Sequence, residues 1–224
     1  MKNGDYIKID LIATRKSDGK IIDTTIEKVA KEAGIFSKEY SFKPMLIILG
    51  RKEVIQGLEE KLLEMKLGEE REFDIPPQKA FGERDKNLIV TFPESEFKKQ
   101  NVKPEEGKVI EVDGKRGVIK SINSGRVVVD FNHPLAGETI HYKIKIVEVL
   151  QTDEEKIKAL LERYSINGDV KIKEKEIIIE VPKEADKGLN FIQAKVYLIY
   201  DIFSLFNVDT IKFVEEYAKP SLQH

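Results

Sequence analysis

Within the first 75 residues, segments that alternate apolar and polar residues surround one amphipathic helix, and this limits the fold more than any other feature of the chain. From Tyr6 to Ala13, the residues Ile7, Ile9 and Leu11 share a face, as in a half-buried strand. Asp18-Gly19 supplies a hairpin turn, because glycine tolerates the positive φ such turns need, and Lys20 to Asp23 returns as a second strand. Thr24 and Glu27 stand at capping-box spacing and predict a short helix ending near Gly34. Gly34 to Pro44 shows no period and reads as loop. Met45 to Leu49 is an unbroken apolar run, read as a buried strand. Val54, Leu58, Leu62 and Met65 then recur at helical spacing over about Glu53 to Met65. Glu69 to Ile75 alternates again and stops at Pro76-Pro77, which cannot continue a central strand. The pattern predicts an α+β antiparallel half-barrel around one helix.

From about Asp85 the texture changes. Leu88 to Phe92 reads as a strand and Pro93 to Gln100 as a short helix with Phe97 inward. Val109 to Val112, Gly117 to Ile122 and Arg126 to Phe131 read as a three-stranded antiparallel set joined by turns, the core of an inserted, β-rich domain. Ile140 to Leu150 is a long strand with Ile140, Tyr142, Ile144 and Ile146 inward. Its apolar parity then switches to Val147 and Val149, which predicts a β-bulge. With no partner of its own nearby, this strand is expected to close the sheet begun at residues 6–75. The first domain is then discontinuous, residues 1–84 plus 132–151, around an insert at 85–131.

Residues 152–224 read as a C-terminal αββαβ domain. Thr152 and Glu155 cap a helix bearing Ile157, Leu160, Leu161 and Tyr164. A hairpin (Val170 to Lys173, Ile177 to Val181), a helix (Asn190 to Asn207) and a last strand (Ile211 to Tyr217) follow. The second helix is apolar on more than one face. Ile192, Val196, Ile199, Phe203 and Phe206 suit the hairpin, while Phe191, Tyr197, Leu198, Tyr200 and Leu205 need another cover, and a homodimer contact is expected. A membrane span is not expected, since Gln193, Lys195 and Asp201 interrupt a helix short of the ~20 apolar residues required.

Composition removes several function classes. The 38 basic and 40 acidic residues are mixed along the chain, leaving a net charge of −2 and no basic stripe to follow a nucleic acid. There is no cysteine, and the three histidines, His133, His141 and His224, stand beside no acidic cluster, so neither a metal nor any other cofactor is expected. No glycine-rich phosphate loop or nucleophile elbow occurs. Met1 to Ile12 lacks the basic start and apolar run of a signal peptide, and a cytoplasmic location is expected.

Four stretches in order carry a resemblance. Leu49-Gly50-Arg51-Lys52-Glu53-Val54-Ile55-Gln56-Gly57-Leu58-Glu59 resembles the signature of FKBP-type peptidyl-prolyl cis/trans isomerases, where a strand ends in Leu-Gly and enters the domain's one helix. Asp18 to Thr25, Met65 to Glu69 and Pro76 to Gly82 resemble three further segments of that family at matching spacing, together covering about residues 3–84. Asn132-His133-Pro134-Leu135-Ala136-Gly137 is similar to the return segment of SlyD-like members, in which an inserted chaperone domain replaces the flap loop. The C-terminal lobe resembles the extra domain of long archaeal members.

The resemblance implies an isomerase of X-Pro bonds in unfolded or folding proteins, with holdase activity from the insert. It makes Asp23 the pocket's carboxylate and puts the Phe81 ring where the family has a tyrosine. The Ile55 N–H is to bind a substrate carbonyl and Tyr142 to join this catalytic set. Met45, Val54 and Leu58, with Ile12, Ile22 and Leu135, complete the substrate-binding set. Ile12, Ile22 and Leu58 stand where many members carry Tyr, Phe and Trp, so the pocket is aliphatic where the family is often aromatic. That leaves a competing reading, a holdase whose pocket has lost activity. In the insert, Leu88, Ile89, Val90, Phe92, Phe97, Val109, Ile110 and Val112 are candidates for a groove that takes extended chain; taken singly, each reads first as a residue of the insert's own small core.

Overall fold

In the computed structural model, which describes residues 1–99, 103–183, 185 and 188–217, the elements run in chain order as follows. The strands β1 (Tyr6–Arg15) and β2 (Lys20–Thr24), helix α1 (Glu27–Glu32), strand β3 (Met45–Ile48), helix α2 (Gln56–Glu64) and strand β4 (Glu70–Ile75) come first. Then come β5 (Ile89–Pro93), α3 (Glu94–Lys99), β6 (Val109–Val112), β7 (Lys115–Asn123), β8 (Arg126–Asp130) and β9 (Ile140–Leu150). The chain continues through α4 (Asp153–Arg163), β10 (Asp169–Lys173), β11 (Glu176–Val181), α5 (Leu189–Leu205) and β12 (Thr210–Glu215). The class is α+β. Gln100 and His224 lie outside the described residues.

The first sheet has the order β2-β1-β9-β4, with β3 also paired to β1. Thus β9, which follows the insert, lies between β1 and β4 instead of closing an edge, and both sides of its ladder are used. Its inward residues stack on those of β1, with Ile146 opposite Ile9, Ile144 opposite Leu11 and Tyr142 opposite Ala13. The register slips between Lys8 and Ile9, facing Glu148 and Ile146, so Val147 is the extra residue of a bulge. Val147 itself is 41% exposed, and it is Leu150 that turns inward beside Tyr6. Helix α2 covers the concave face with Leu58 and Leu62, next to Met65 and Ile75. Its first turn passes so close to β4 that a Cβ on Gly57 would stand 2.5 Å from Ile75 Cγ2.

The capping box expected at Thr24 and Glu27 does not form. Thr24 belongs to β2, its hydroxyl donates to Leu11 O (2.9 Å) and accepts from the Ile26 N–H, and Ile26 is the N-cap residue of α1. Glu27 pairs with Lys31 instead.

The insert forms a four-stranded antiparallel sheet, β5-β8-β7-β6, rather than three strands, because β5 pairs with β8. Its core is Phe97, Ile119, Val127 and Val129. In the C-terminal unit, Thr152 and Glu155 make the expected capping box on α4. There β11 pairs antiparallel with β10 and parallel with β12. The core of this unit is not closed on itself: Ile157, Leu160, Leu161, Ile177, Leu198 and Ile202 share a cluster with Tyr6, Ile48 and Leu150 from the first sheet. Ile192, Val196 and Phe203, expected over the hairpin, are instead exposed on α5 with Tyr197 and Tyr200, while Leu198, with Phe191 and Leu205 beside it, faces the core. Among the described residues, no helix is long and apolar enough to cross a membrane.

Candidate active site

The loop from β3 into α2 decides where reactive groups can gather. Leu49-Gly50 ends the strand, Gly50 and Lys52 take positive φ (91° and 56°), and the chain enters α2 through Val54 and Ile55. Ile55 is the N-cap residue, so its N–H lies outside the helical ladder, and no backbone or side-chain acceptor meets it among the described residues. The first-turn N–H groups that follow give this end of the helix its partial positive charge.

Over this helix start lies a hollow of about 430 Å³, lined by Leu11, Asp23, Met45, Glu53, Val54, Ile55, Leu58 and Tyr142. Most of that wall is aliphatic. Tyr142 is buried, yet its hydroxyl has no protein partner among the described residues. Burial, and secondly the Asp23 charge, pushes its pKa up to about 12. It therefore stays a donor at any physiological pH. Asp23 is open to solvent on one side and forms no ion pair among the described residues; desolvation by its surroundings raises its pKa above the ordinary carboxylate value. Tyr40, in the loop before β3, does not line this hollow; burial and then the Asp23 charge raise its pKa.

A recess of about 480 Å³ lies on the far side of Met45, between residues 40–46 and the end of α4. Its charges are largely committed, Lys8 to Glu148 and Glu162, and Arg163 to Glu53. The hollow over α2 instead holds the Ile55 N–H and the Tyr142 hydroxyl, without partners among the described residues, beside the Asp23 carboxylate, and its chemistry is the more specific.

Of the residues singled out from sequence, the structure brings Asp23, Met45, Val54, Ile55, Leu58 and Tyr142 together around this hollow. Ile12 is a correction. Alternation along β1 turns Leu11 inward and sends Ile12 to the opposite face, where it lines a recess with Ile26 and Lys143. Ile22 is the extra residue where the β1–β2 register slips, and it packs against the core without reaching the lining. Phe81 does not line the hollow either. Its ring lies flat on His133, centroids 4.6 Å apart and planes within 2°, and His133 Nδ1 accepts from the Leu135 N–H at 3.1 Å. Phe81 still packs against the half-barrel core that holds Leu58 and Tyr142, while His133 and Leu135 belong to the return segment.

Sequence reasoning missed Glu53, and it assigned Leu11 to the core but not to the pocket. The alternation that put Ile7, Ile9 and Leu11 on one face already carried the signal for Leu11. In the insert, Phe97, only 8% exposed, closes the small core with Phe92 and Ile110 packed against it, and with Phe92 and Val112 it also lines a small recess of about 40 Å³. Leu88, Ile89, Val90 and Val109 are exposed, on or beside the edge strands β5 and β6.

Comparison with known proteins agrees over most of the chain. Family models described as "FKBP26, IF domain" and "FKBP26_C-terminal" match residues 90–135 and 153–218. A Methanocaldococcus jannaschii protein named "Short-type peptidyl-prolyl cis-trans isomerase" is 40% identical over 155 residues, 69% of this chain and 98% of that protein. The "FKBP-type 16 kDa peptidyl-prolyl cis-trans isomerase" of Escherichia coli is 40% identical over 112 residues, 48% of this chain and 74% of that protein. The Helicobacter pylori "FKBP-type peptidyl-prolyl cis-trans isomerase SlyD" is 30% identical over 144 residues, covering 60% and 76%.

Proposed function

The chain belongs to the FKBP-type, SlyD-like peptidyl-prolyl cis/trans isomerases, and from that premise we infer that the hollow over the start of α2 is where it twists X-Pro bonds. Rotation about such a bond breaks amide resonance and meets a barrier of ~18–20 kcal/mol, so spontaneous exchange takes tens to hundreds of seconds. No nucleophile is needed. The catalyst must favour the twisted imide, whose nitrogen is pyramidal and whose carbonyl is closer to a ketone, over the planar one. An apolar hollow does this by accepting the proline ring and excluding the water that stabilises the planar, more polar amide. Leu11, Val54, Leu58 and Met45 are the walls for the ring. The Ile55 N–H, at the positive end of α2, donates to a carbonyl of the bound chain and fixes its direction. The Tyr142 hydroxyl donates to the carbonyl oxygen preceding the proline, while the Asp23 carboxylate, which can only accept, faces the carbonyl carbon, whose positive character grows as the bond twists. The observation that carries this reading is the Ile55 N–H and the Tyr142 hydroxyl, neither with a partner among the described residues, in a hollow whose walls are apolar apart from Asp23 and Glu53. The test is cis/trans exchange of a short X-Pro peptide with wild type beside Asp23→Ala. A wild type without acceleration sinks the reading.

Residues 1–84 plus 132–151 are then the isomerase domain in its half-barrel form, 85–131 a holdase insert, and 152–224 the C-terminal domain of the long archaeal type. The apolar edge strands β5 and β6 support the holdase role, since unpaired N–H and C=O groups beside Val90 and Val109 (63% exposed) suit strand addition by unfolded chain. Holding a client there raises its effective concentration at the hollow. The exposed apolar face of α5 supports pairing of two copies through the C-terminal domain.

A further inference from the structure

We propose that the C-terminal unit is a positioning element of the proline hollow, acting through Arg163 and Asp201 on the loop at residues 50–55. The inference rests on the reading of the hollow given above.

Two contacts of opposite polarity grip that loop from the same side. Arg163, in the last turn of α4, donates from both terminal nitrogens to the Glu53 carboxylate (2.9 and 2.8 Å), and one of them also donates to Leu46 O at 2.8 Å. The Glu53 carboxylate accepts in turn from the Ile48 N–H at 3.1 Å. Glu53 itself lines the hollow, two residues before Ile55. Two residues earlier in the loop, Arg51 reaches Asp201 of α5 (3.5 Å) and Ser204 Oγ (3.3 Å). Asp201 is 7% exposed and accepts from the Tyr164 hydroxyl at 2.6 Å, so its position is fixed from behind.

Between the two grips stands Lys52 with φ of 56°. A non-glycine residue in that region is strained and persists where surrounding contacts over-determine it. Here the contacts are the two charge pairs and Glu59, which accepts from the Gly50 N–H at 2.7 Å. A planar guanidinium meeting a carboxylate through two parallel bonds fixes orientation as well as distance. The groups so fixed are those that set the direction of the Ile55 N–H and the height of the Val54 wall. The seam is firm on its apolar side too, because Tyr6 and Ile48 belong to the C-terminal unit's own core.

The test uses the full chain and short-peptide exchange, at a temperature where every variant is folded. Arg163→Met should lower kcat/KM about tenfold or more, as expected when a binding group is displaced by a fraction of an ångström. Arg163→Lys keeps the charge without the fork and should fall between. Arg163→Met combined with Glu53→Gln should lose no more than the worse single variant. Lys8→Met is the control: it breaks a pair with Glu162 on the same helix and touches nothing in the loop, so its melting temperature can fall while kcat/KM holds. If wild type is active and Arg163→Met matches it per folded molecule, or loses activity only in step with Lys8→Met, the positioning role is overturned and the hollow stands. An inactive wild type overturns both.

Discussion

Gly57→Ala isolates the packing that holds α2 against the sheet. Alanine is favoured over glycine inside a helix by about 0.5–1 kcal/mol, so on propensity alone the variant gains stability. The structure says otherwise. A Cβ at this position stands 2.5 Å from Ile75 Cγ2, 3.1 Å from Lys79 Cβ and 3.2 Å from the Lys79 carbonyl. Ile75 is buried at the end of β4 and, being β-branched, has little rotamer freedom to swing aside. The Lys79 carbonyl is backbone of the tight turn Pro77–Lys79 and cannot move alone. Overpacking of this kind costs about 1–3 kcal/mol, leaving a net loss of up to about 2.5 kcal/mol once the helix gain is subtracted. For a chain of this size that is a fall of up to roughly 10 °C in melting temperature. Relief requires α2 to lift away from β4, which also lifts Val54, Ile55 and Leu58, so kcat/KM should fall several-fold on peptide. Urea unfolding and peptide exchange measure the two effects. In a double-mutant cycle with Ile75→Ala the pair should lose less than the sum, because the new methyl fills part of the vacated space. A Gly57→Ala protein more stable than wild type and equally active would refute the close approach and the account of the loop built on it.

Tyr142→Phe should lower kcat/KM several-fold on peptide with little change in melting temperature, since the lost hydroxyl has no protein partner. With a pKa near 12, Tyr142 itself should put no alkaline limb into the pH profile below that value. Acid should matter: burial raises the pKa of Asp23, so activity should fall on acidification at a pH above the ordinary aspartate value of about 3.9, and Asp23→Asn should flatten that limb. The stability effect has the opposite sense. The folded state holds the Asp23 proton more tightly than the unfolded chain, so this group's contribution is lost as pH rises through the folded pKa. Asp23→Asn should then melt slightly higher at neutral pH while turning over more slowly. Val90→Asp with Val109→Asp should weaken suppression of aggregation of an unfolded client and leave short-peptide exchange unchanged; equal losses in both assays would separate the edge strands from the holdase role.

The parts of this molecule legible in the sequence are those set by local periodicity. Alternation at Ile7, Ile9 and Leu11, helical spacing at Leu58 and Leu62, and the capping box at Thr152 and Glu155 each need only neighbours a few residues away. Even the bulge at Val147 was visible, because a parity switch within one strand is a local signal. Illegible parts are those decided by distant partners. The spacing of Thr24 and Glu27 is good capping chemistry, but Leu11 O claims the Thr24 hydroxyl from 13 residues away. Phe81 matches a motif that sends it to the pocket, yet His133, across the insert, offers its ring a flat partner. For Ile12 two signals conflicted: the motif favoured Ile12, the strand period favoured Leu11, and the pleat decided.

The aliphatic walls that seemed to speak against catalysis from sequence change meaning once the hollow is seen. An aromatic floor would clamp a proline ring by its own bulk, whereas Leu58 leaves a wider space whose shape depends on how firmly its rim is held. The rim is the loop from Gly50 to Ile55, with two residues of positive φ and, among the described residues, no partner for the Ile55 N–H. A loop of that kind, left to itself, samples several conformations and presents the N–H in only some of them, and the apparent affinity falls by the fraction that is competent. Charged grips from the C-terminal unit on both sides of Lys52 reduce that loss. In this chain, then, rigidity supplied from outside the isomerase sheet substitutes for bulk within the pocket.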